Sequence, residues 1–391
     1  METLSIAKTL YADLVCSKSG AVYDKNRVQT YSSAEKPLLA RYDLSAGLER
    51  GVLQGRPWNM WRYRELLPLE DEAYRYSLGE GGTPLFHLKR AGRHLGTPWL
   101  YLKDEAGNPT GSFKARGLSM AISKAAELGV RKCVIPTAGN AGGAMSAYCA
   151  IAGMEAHVYM PRQTPLVFQH ECALYGAKVT LVDGDISDCA RRIAGERQPD
   201  WFDISTLKEP FRLEGKKTMG LEIVEQLDWQ APDVIIYPTG GGTGLIGIWK
   251  AFEELEKLAW TGKKKPRMVA VQAEVCSPIV NAFAADAKIA APCHQPGTTI
   301  ANGLRVPAAF GDELILDILY KSGGRALAVS EEDMKTGLKE VARLEGQLLA
   351  PEGAAVWMAF RRLLREGWIQ PEERVVLLNT GTLYKYIENL V

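Results

Sequence analysis

Short runs of apolar residues alternate with amphipathic stretches through most of this chain. Between residues 112 and 212 the runs 133–135, 156–160 and 178–182 each precede a segment with apolar positions at helical spacing. From about residue 216 the rhythm restarts, with runs at 234–237, 268–273, 326–329 and 375–378. Runs that are apolar at nearly every position mark strands covered on both faces, so the pattern predicts an α/β fold of two lobes with open, mostly parallel sheets covered by helices. We assign 112–212 to a small mobile lobe and 45–111 with 213–391 to a large lobe, preceded by a polar, knuckle-like segment over 1–44. Ligands of open α/β sheets sit beyond the carboxyl ends of the strands, which points to the cleft between the lobes.

Composition narrows the function classes. The 391 residues are 46% apolar and 24% charged, as in an ordinary globular chain, and 47 Lys and Arg against 46 Asp and Glu leave a formal charge of +1. That balance implies no broad polyanion-binding surface, so no nucleic-acid partner is expected. The opening Met1-Glu2-Thr3-Leu4 carries an early acid and lacks the basic region and apolar core of a leader. No apolar run is long enough to span a bilayer, so a cytoplasmic protein without a membrane partner is expected. The seven cysteines show no C-x-x-C spacing and read as reduced thiols. No separate effector module is expected after the last strand.

The candidate chemistry centres on Lys114. It follows the turn Asn108-Pro109-Thr110-Gly111-Ser112 and opens a segment with Leu118, Ala121, Ile122 and Ala125 at helical spacing. At a helix N-terminus the local positive potential favours the free amine, which makes this lysine a candidate for a Schiff base with an aldehyde. Three loops accompany it, each after a strand-like run. Thr137, Ala138, Gly139, Asn140 and Ala141 open a small-residue helix whose N–H groups suit a carboxylate. Gly240, Gly241, Gly242, Thr243 and Gly244 let the backbone approach a phosphate. Thr380 and Thr382 offer neutral hydroxyls after the last strand.

The pattern Ser112-Phe113-Lys114-x-Arg116-Gly117, the Gly139-Asn140 loop, the 240–244 glycines and Thr380-Gly381 together resemble the fold-type II pyridoxal phosphate enzymes, the tryptophan synthase beta superfamily. Within that group the run from Ser205 through Arg212-Leu213-Glu214-Gly215-Lys216-Lys217-Thr218, with the ending Lys385-Tyr386, is most similar to the threonine synthase family. The resemblance implies pyridoxal 5'-phosphate as cofactor, bound through Lys114, which also serves as base. It implies Asn140 on the cofactor's 3'-oxygen, Gly240, Gly241, Gly242, Thr243 and Gly244 around its phosphate, and Thr380 on its ring nitrogen, with Thr382 as the alternative. A neutral hydroxyl there makes a milder electron sink, suited to elimination and replacement. The α-carboxylate would lie on Thr137, Ala138, Gly139, Asn140 and Ala141, and the phosphate of O-phosphohomoserine on Arg212, helped by Ser205 and Lys208.

Some threonine synthases carry a zinc knuckle with four cysteines; only Cys16 stands in the matching stretch here, so a metal-free knuckle is expected. Three further departures keep a threonine or serine ammonia-lyase open as the alternative. Ala115 replaces an aspartate, Ala138 replaces a hydroxyl residue, and Gly-Gly-Gly-Thr-Gly replaces a loop with asparagine amides. The resemblance also implies a homodimer, and it places the turn 81–85 near the site in a supporting role.

Overall fold

The computed structural model describes residues 9–389; the opening residues 1–4 lie outside the described residues. A three-stranded antiparallel sheet comes first, with β1 (Tyr11–Cys16) between β2 (Val22–Tyr23) and β3 (Leu38–Tyr42). Its buried Cys16 thiol lies 3.1 Å from Ser32 Oγ and accepts from the Ser19 N–H at 3.4 Å, so local hydrogen bonds brace this knuckle. Among the described residues no cluster of His, Cys, Asp and Glu is arranged to hold a metal. The sheet is fastened to the body where the Tyr42 hydroxyl donates to Glu214 Oε2 at 2.8 Å.

Next come β4 (Leu85–His87), α1 (Lys89–Leu95), β5 (Leu100–Asp104) and α2 (Lys114–Glu127). The chain continues through β6 (Lys132–Pro136), α3 (Asn140–Ile151), β7 (Glu155–Pro161), α4 (Leu166–Leu174), β8 (Lys178–Val182), α5 (Ile186–Glu196) and β9 (Trp201–Asp203). These last four strands make an all-parallel sheet in the order β8-β7-β6-β9.

Then follow α6 (Phe211–Gln226), β10 (Val234–Pro238), α7 (Thr243–Lys257), β11 (Arg267–Ala273), α8 (Pro278–Ala284), α9 (Asp312–Lys321), β12 (Arg325–Val329), α10 (Glu331–Glu345), α11 (Pro351–Arg365) and β13 (Val375–Asn379). With β4 and β5 they build a six-stranded sheet ordered β12-β11-β10-β13-β5-β4, parallel except for β4. Every residue of β10 and β13 is buried, as their unbroken apolar runs require of strands covered on both faces. Among the described residues no helix is long and apolar enough to cross a membrane.

Helix α6 lacks the pattern of a surface helix because it is buried all round. Arg212, Glu214, Lys216, Lys217 and Glu222 are all fully buried along it, so its charges report internal pairing rather than a solvent face. It crosses α2 at backbone contact. A Cβ at Gly215 would stand 2.0 Å from the Arg116 carbonyl oxygen, and one at Gly117 2.8 Å from that of Arg212. That close crossing brings the cations of α6 beside the start of α2.

Candidate active site

Four segments leave the carboxyl ends of β5, β6, β10 and β13 and meet around one cleft of about 480 Å³. The segment after β5 turns through Thr110 and Gly111, both at positive φ (58° and 63°), before α2 begins at Lys114. Its backbone pairs with the segment after β13. The Phe113 N–H donates to Thr380 O at 3.1 Å, the Thr382 N–H donates to Gly111 O at 2.9 Å, and Ser112 bridges Gly381. Lys114 and Thr380, far apart in the chain, therefore line the same cleft. Thr382 does not line it; its hydroxyl accepts from the Tyr384 N–H at 3.3 Å and caps the last turn.

The Lys114 amine stands 4.4 Å from the Phe113 ring centroid and forms no ion pair among the described residues. Burial, and then the nearby Arg212 guanidinium, push its pKa down to about 7, while the Glu352 carboxyl pulls the other way. Enclosure and a neighbouring cation thus favour the free amine.

Thr137, Ala138, Gly139, Asn140 and Ala141 line the cleft opposite. The Thr137 hydroxyl accepts from the Gly139 N–H at 3.2 Å, which tightens the loop ahead of α3. Asn140 Nδ2 donates to the Tyr386 hydroxyl at 3.1 Å, Tyr386 donates to Glu352 Oε1 at 3.1 Å, and Asn140 Oδ1 is buried without a partner. Burial raises the Glu352 pKa, against hydrogen bonds from the Gly303 N–H and the Tyr386 hydroxyl that pull it back down. The unpartnered Oδ1 is thus the polar atom that Asn140 has left for a ligand that can donate.

Gly240, Gly241, Gly242 and Thr243 form the floor. A Cβ at Gly240 would lie 2.2 Å from Gly303 O, and one at Gly241 2.7 Å from Thr206 Cγ2. Gly242 adopts φ 75° where the chain enters α7. The first N–H groups of that helix have no intrahelical acceptor, and they suit an anion. Gly244 lies inside α7, where a Cβ would meet the Tyr237 hydroxyl at 1.8 Å, so its role is packing rather than lining. Gly240→Ala is expected to lower unfolding free energy by about 1–3 kcal/mol through overpacking against rigid backbone, measured by denaturant titration.

Ser205 and Lys208 also line the cleft, with the Ser205 hydroxyl bonded to Asp203 Oδ1. Arg212 does not line it. It is fully buried behind the wall, where Nη1 donates to Ile204 O at 2.8 Å and Nε and Nη2 have no partner. Glu209 does not hydrogen-bond the guanidinium: its carboxylate accepts from the Phe211 and Arg212 N–H groups at 2.7 and 3.0 Å, capping α6. Sequence reasoning missed Lys216, Arg305, Glu352 and Tyr386. Arg305 and Glu352 reach the cleft only through tertiary contact; Lys216 and Tyr386 lay in runs already singled out, but neither was given a role there.

These residues suit a phosphorylated aldehyde. A lysine free of ion pairs and half-neutral near pH 7 can condense, a glycine turn at a helix start with the Thr243 hydroxyl can hold a phosphate, and Asn140 and Thr380 leave neutral polar groups for a ring. Residues 76–381 match the family model described as pyridoxal-phosphate dependent enzyme. The threonine synthase of Methanocaldococcus jannaschii is 36% identical over 370 residues, covering 94% of this chain and 91% of that one. The threonine synthase of Methanosarcina acetivorans is 34% identical over 375 residues, covering 95% and 92%. Among solved structures, a fungal L-serine ammonia-lyase from Rhizomucor miehei superposes with a TM-score of 0.66 at 22% identity, covering 79% of this chain and 98% of its own; that likeness is one of fold.

Proposed function

The chain belongs to the pyridoxal-phosphate dependent enzyme family, and we propose that it works as a threonine synthase, converting O-phosphohomoserine and water to L-threonine and phosphate by γ-elimination and β-addition. The observation that carries this reading is the charge of the cleft. Arg191, Lys208 and Arg305 line it together with the half-neutral Lys114, Arg212 stands behind its wall, and Glu352 is the only acid among the described lining residues. Two phosphates, one on the cofactor and one on the substrate, match that excess. A β-eliminating ammonia-lyase brings only the first.

Lys114, Asn140, Gly240, Gly241, Gly242, Thr243 and Thr380 would hold the cofactor. Bound there, pyridoxal phosphate supplies the electron sink for charge that develops on the substrate's carbon chain. Lys114 Nζ, largely an amine above pH 7, takes the proton from the substrate α-carbon. Backbone N–H groups of Thr137, Ala138, Gly139, Asn140 and Ala141 orient the α-carboxylate. Thr380 meets the ring nitrogen with a neutral hydroxyl. Ser205 and Lys208 meet the substrate phosphate from the lining, and Arg212, whose Nε and Nη2 are buried without a partner behind the wall, would join them once the wall between gives way. Movement of residues 112–212 against the remainder closes the cleft and excludes water until it is needed. A homodimer in the cytoplasm completes the reading; sedimentation velocity measures its stoichiometry.

Two assays on one preparation test the function. Phosphate release from O-phosphohomoserine with formation of threonine is expected, with little 2-oxobutanoate from threonine; the reverse ranking would establish the ammonia-lyase instead. Arg212→Lys keeps the charge but loses the planar donor pair, and is expected to raise KM for O-phosphohomoserine roughly 10- to 100-fold. An unchanged KM would remove Arg212 from substrate binding.

A further inference from the structure

Lys216 carries no role above, yet its surroundings are those of an anion ligand. It lies on α6, fully buried, beside a lysine in a very different setting. Lys217 is neutralised by Glu214 and Glu254 at 2.7 and 2.8 Å, whereas Lys216 forms no salt bridge among the described residues. The hydrogen bond that Lys216 Nζ does make is to a neutral oxygen, Thr243 Oγ1, at 2.5 Å. The charges nearest to it are mostly of its own sign. Lys114 and Arg212 repel it, and Glu209, the attractive one, is occupied in capping α6.

A buried ammonium without a counter-ion is expensive, so this arrangement calls for an anion from outside the chain. Where that anion sits follows from the partner. Thr243 is the first residue of α7 and part of the glycine turn, and the Phe113 ring has the Lys216 amine 4.9 Å from its centroid and the Lys114 amine 4.4 Å from it. The Lys114 amine and the amine that faces the glycine turn thus lie against the same ring.

We propose that Lys216 is a direct ligand of the cofactor's phosphate, adding a charged side chain to a turn built from glycine and threonine. The inference rests on pyridoxal phosphate lying in this cleft as described above. While no phosphate is bound, burial and then the two neighbouring cations hold the Lys216 pKa far below the ordinary lysine value. Arrival of a dianion reverses the balance and draws a proton onto Nζ.

The test compares two aldehydes on the cofactor-free protein at pH 8: pyridoxal phosphate, and pyridoxal, which lacks the phosphate. Lys216→Gln is expected to weaken pyridoxal phosphate roughly 10- to 100-fold while leaving pyridoxal within about threefold, and Lys216→Arg to restore most of the loss. Calorimetry of the unaltered protein in buffers of different ionisation heat is expected to show proton uptake with pyridoxal phosphate beyond that with pyridoxal, and decides the matter should Lys216→Gln not fold. Equal weakening of both aldehydes, or of neither, overturns the proposal. So does an unchanged cofactor affinity with a raised KM for O-phosphohomoserine, which would move Lys216 to the substrate's phosphate. If the unaltered protein binds neither aldehyde, the cofactor placement itself is wrong and this inference falls with it.

Discussion

Lys114→Ala is expected to lower kcat/KM for O-phosphohomoserine by roughly 10⁴-fold, because it removes both the attachment point of the cofactor and the base that takes the α-proton. The visible absorbance of the lysine-linked cofactor should vanish with it, while the circular dichroism of the fold stays. A variant that kept near-normal turnover would show that another group removes the proton, and the placement of the chemistry in this cleft would be lost.

The same lysine has a cost in stability whose sign can be worked out. Its pKa is about 7 in the folded protein against the ordinary lysine value of 10.5. Between those values the unfolded chain binds a proton that the folded one does not, so the contribution of Lys114 becomes more favourable as pH rises through that window, and its full penalty is present below pH 7. Lys114→Met, which keeps the volume and drops the charge, is therefore expected to stabilise the cofactor-free protein most at pH 6 and progressively less toward pH 10. Denaturant titrations of both proteins across that range measure the gap; a gap independent of pH would contradict the depressed pKa.

How much of this was legible in sequence depends on whether the signal was local. The strands β10 and β13 are apolar at every position but their ends, and the glycine turn and the Asn140 loop each follow a strand within a few residues, so pattern alone brought them out as candidates, whereas Lys114, well beyond the end of β5, was picked out by its turn and helix start. The choice between Thr380 and Thr382 rested on where two hydroxyls point; the pairing of 111–113 with 380–382 puts Thr380 on the cleft and leaves Thr382 as a cap. Helix α6 is the harder case. Its lysines and glutamates look like a solvated face, and nothing local distinguishes Lys217, closed by two carboxylates, from Lys216, closed by none. Arg212 was assigned to substrate by likeness, but its burial follows from the close crossing of α2 and α6 at Gly117 and Gly215, which no spacing rule announces.

That crossing is held by Arg116, two residues beyond the reactive lysine, and its replacement is expected to have the largest effect on stability. Arg116 Nε and Nη2 donate to Glu105 at 2.6 and 2.8 Å, and Nη1 and Nη2 to Glu222 at 2.6 and 2.7 Å. Its remaining contacts are the hydroxyls of Thr218 at 2.9 Å and Thr83 at 3.0 Å, which gives the turn 81–85 a place in the support of the site. Lys103 bonds Glu222 at 2.7 Å, so two cations and two carboxylates balance with all four side chains at 0% exposure. Arg116→Ala leaves one carboxylate uncompensated in the interior, for which a loss of about 3–5 kcal/mol is expected, a large share of the roughly 5–15 kcal/mol that holds a domain together. Arg116→Met combined with Glu105→Gln removes one charge of each sign and is expected to lose clearly less than the single alanine variant, because no charge is then left alone. Denaturant titration of the three proteins decides it: a loss below about 1 kcal/mol for Arg116→Ala would mean that α2 is positioned by apolar packing alone. Because Lys114 begins the same helix, the alanine variant should also lose turnover in the cofactor-loaded state at temperatures where it remains folded, whereas the double variant should recover part of it.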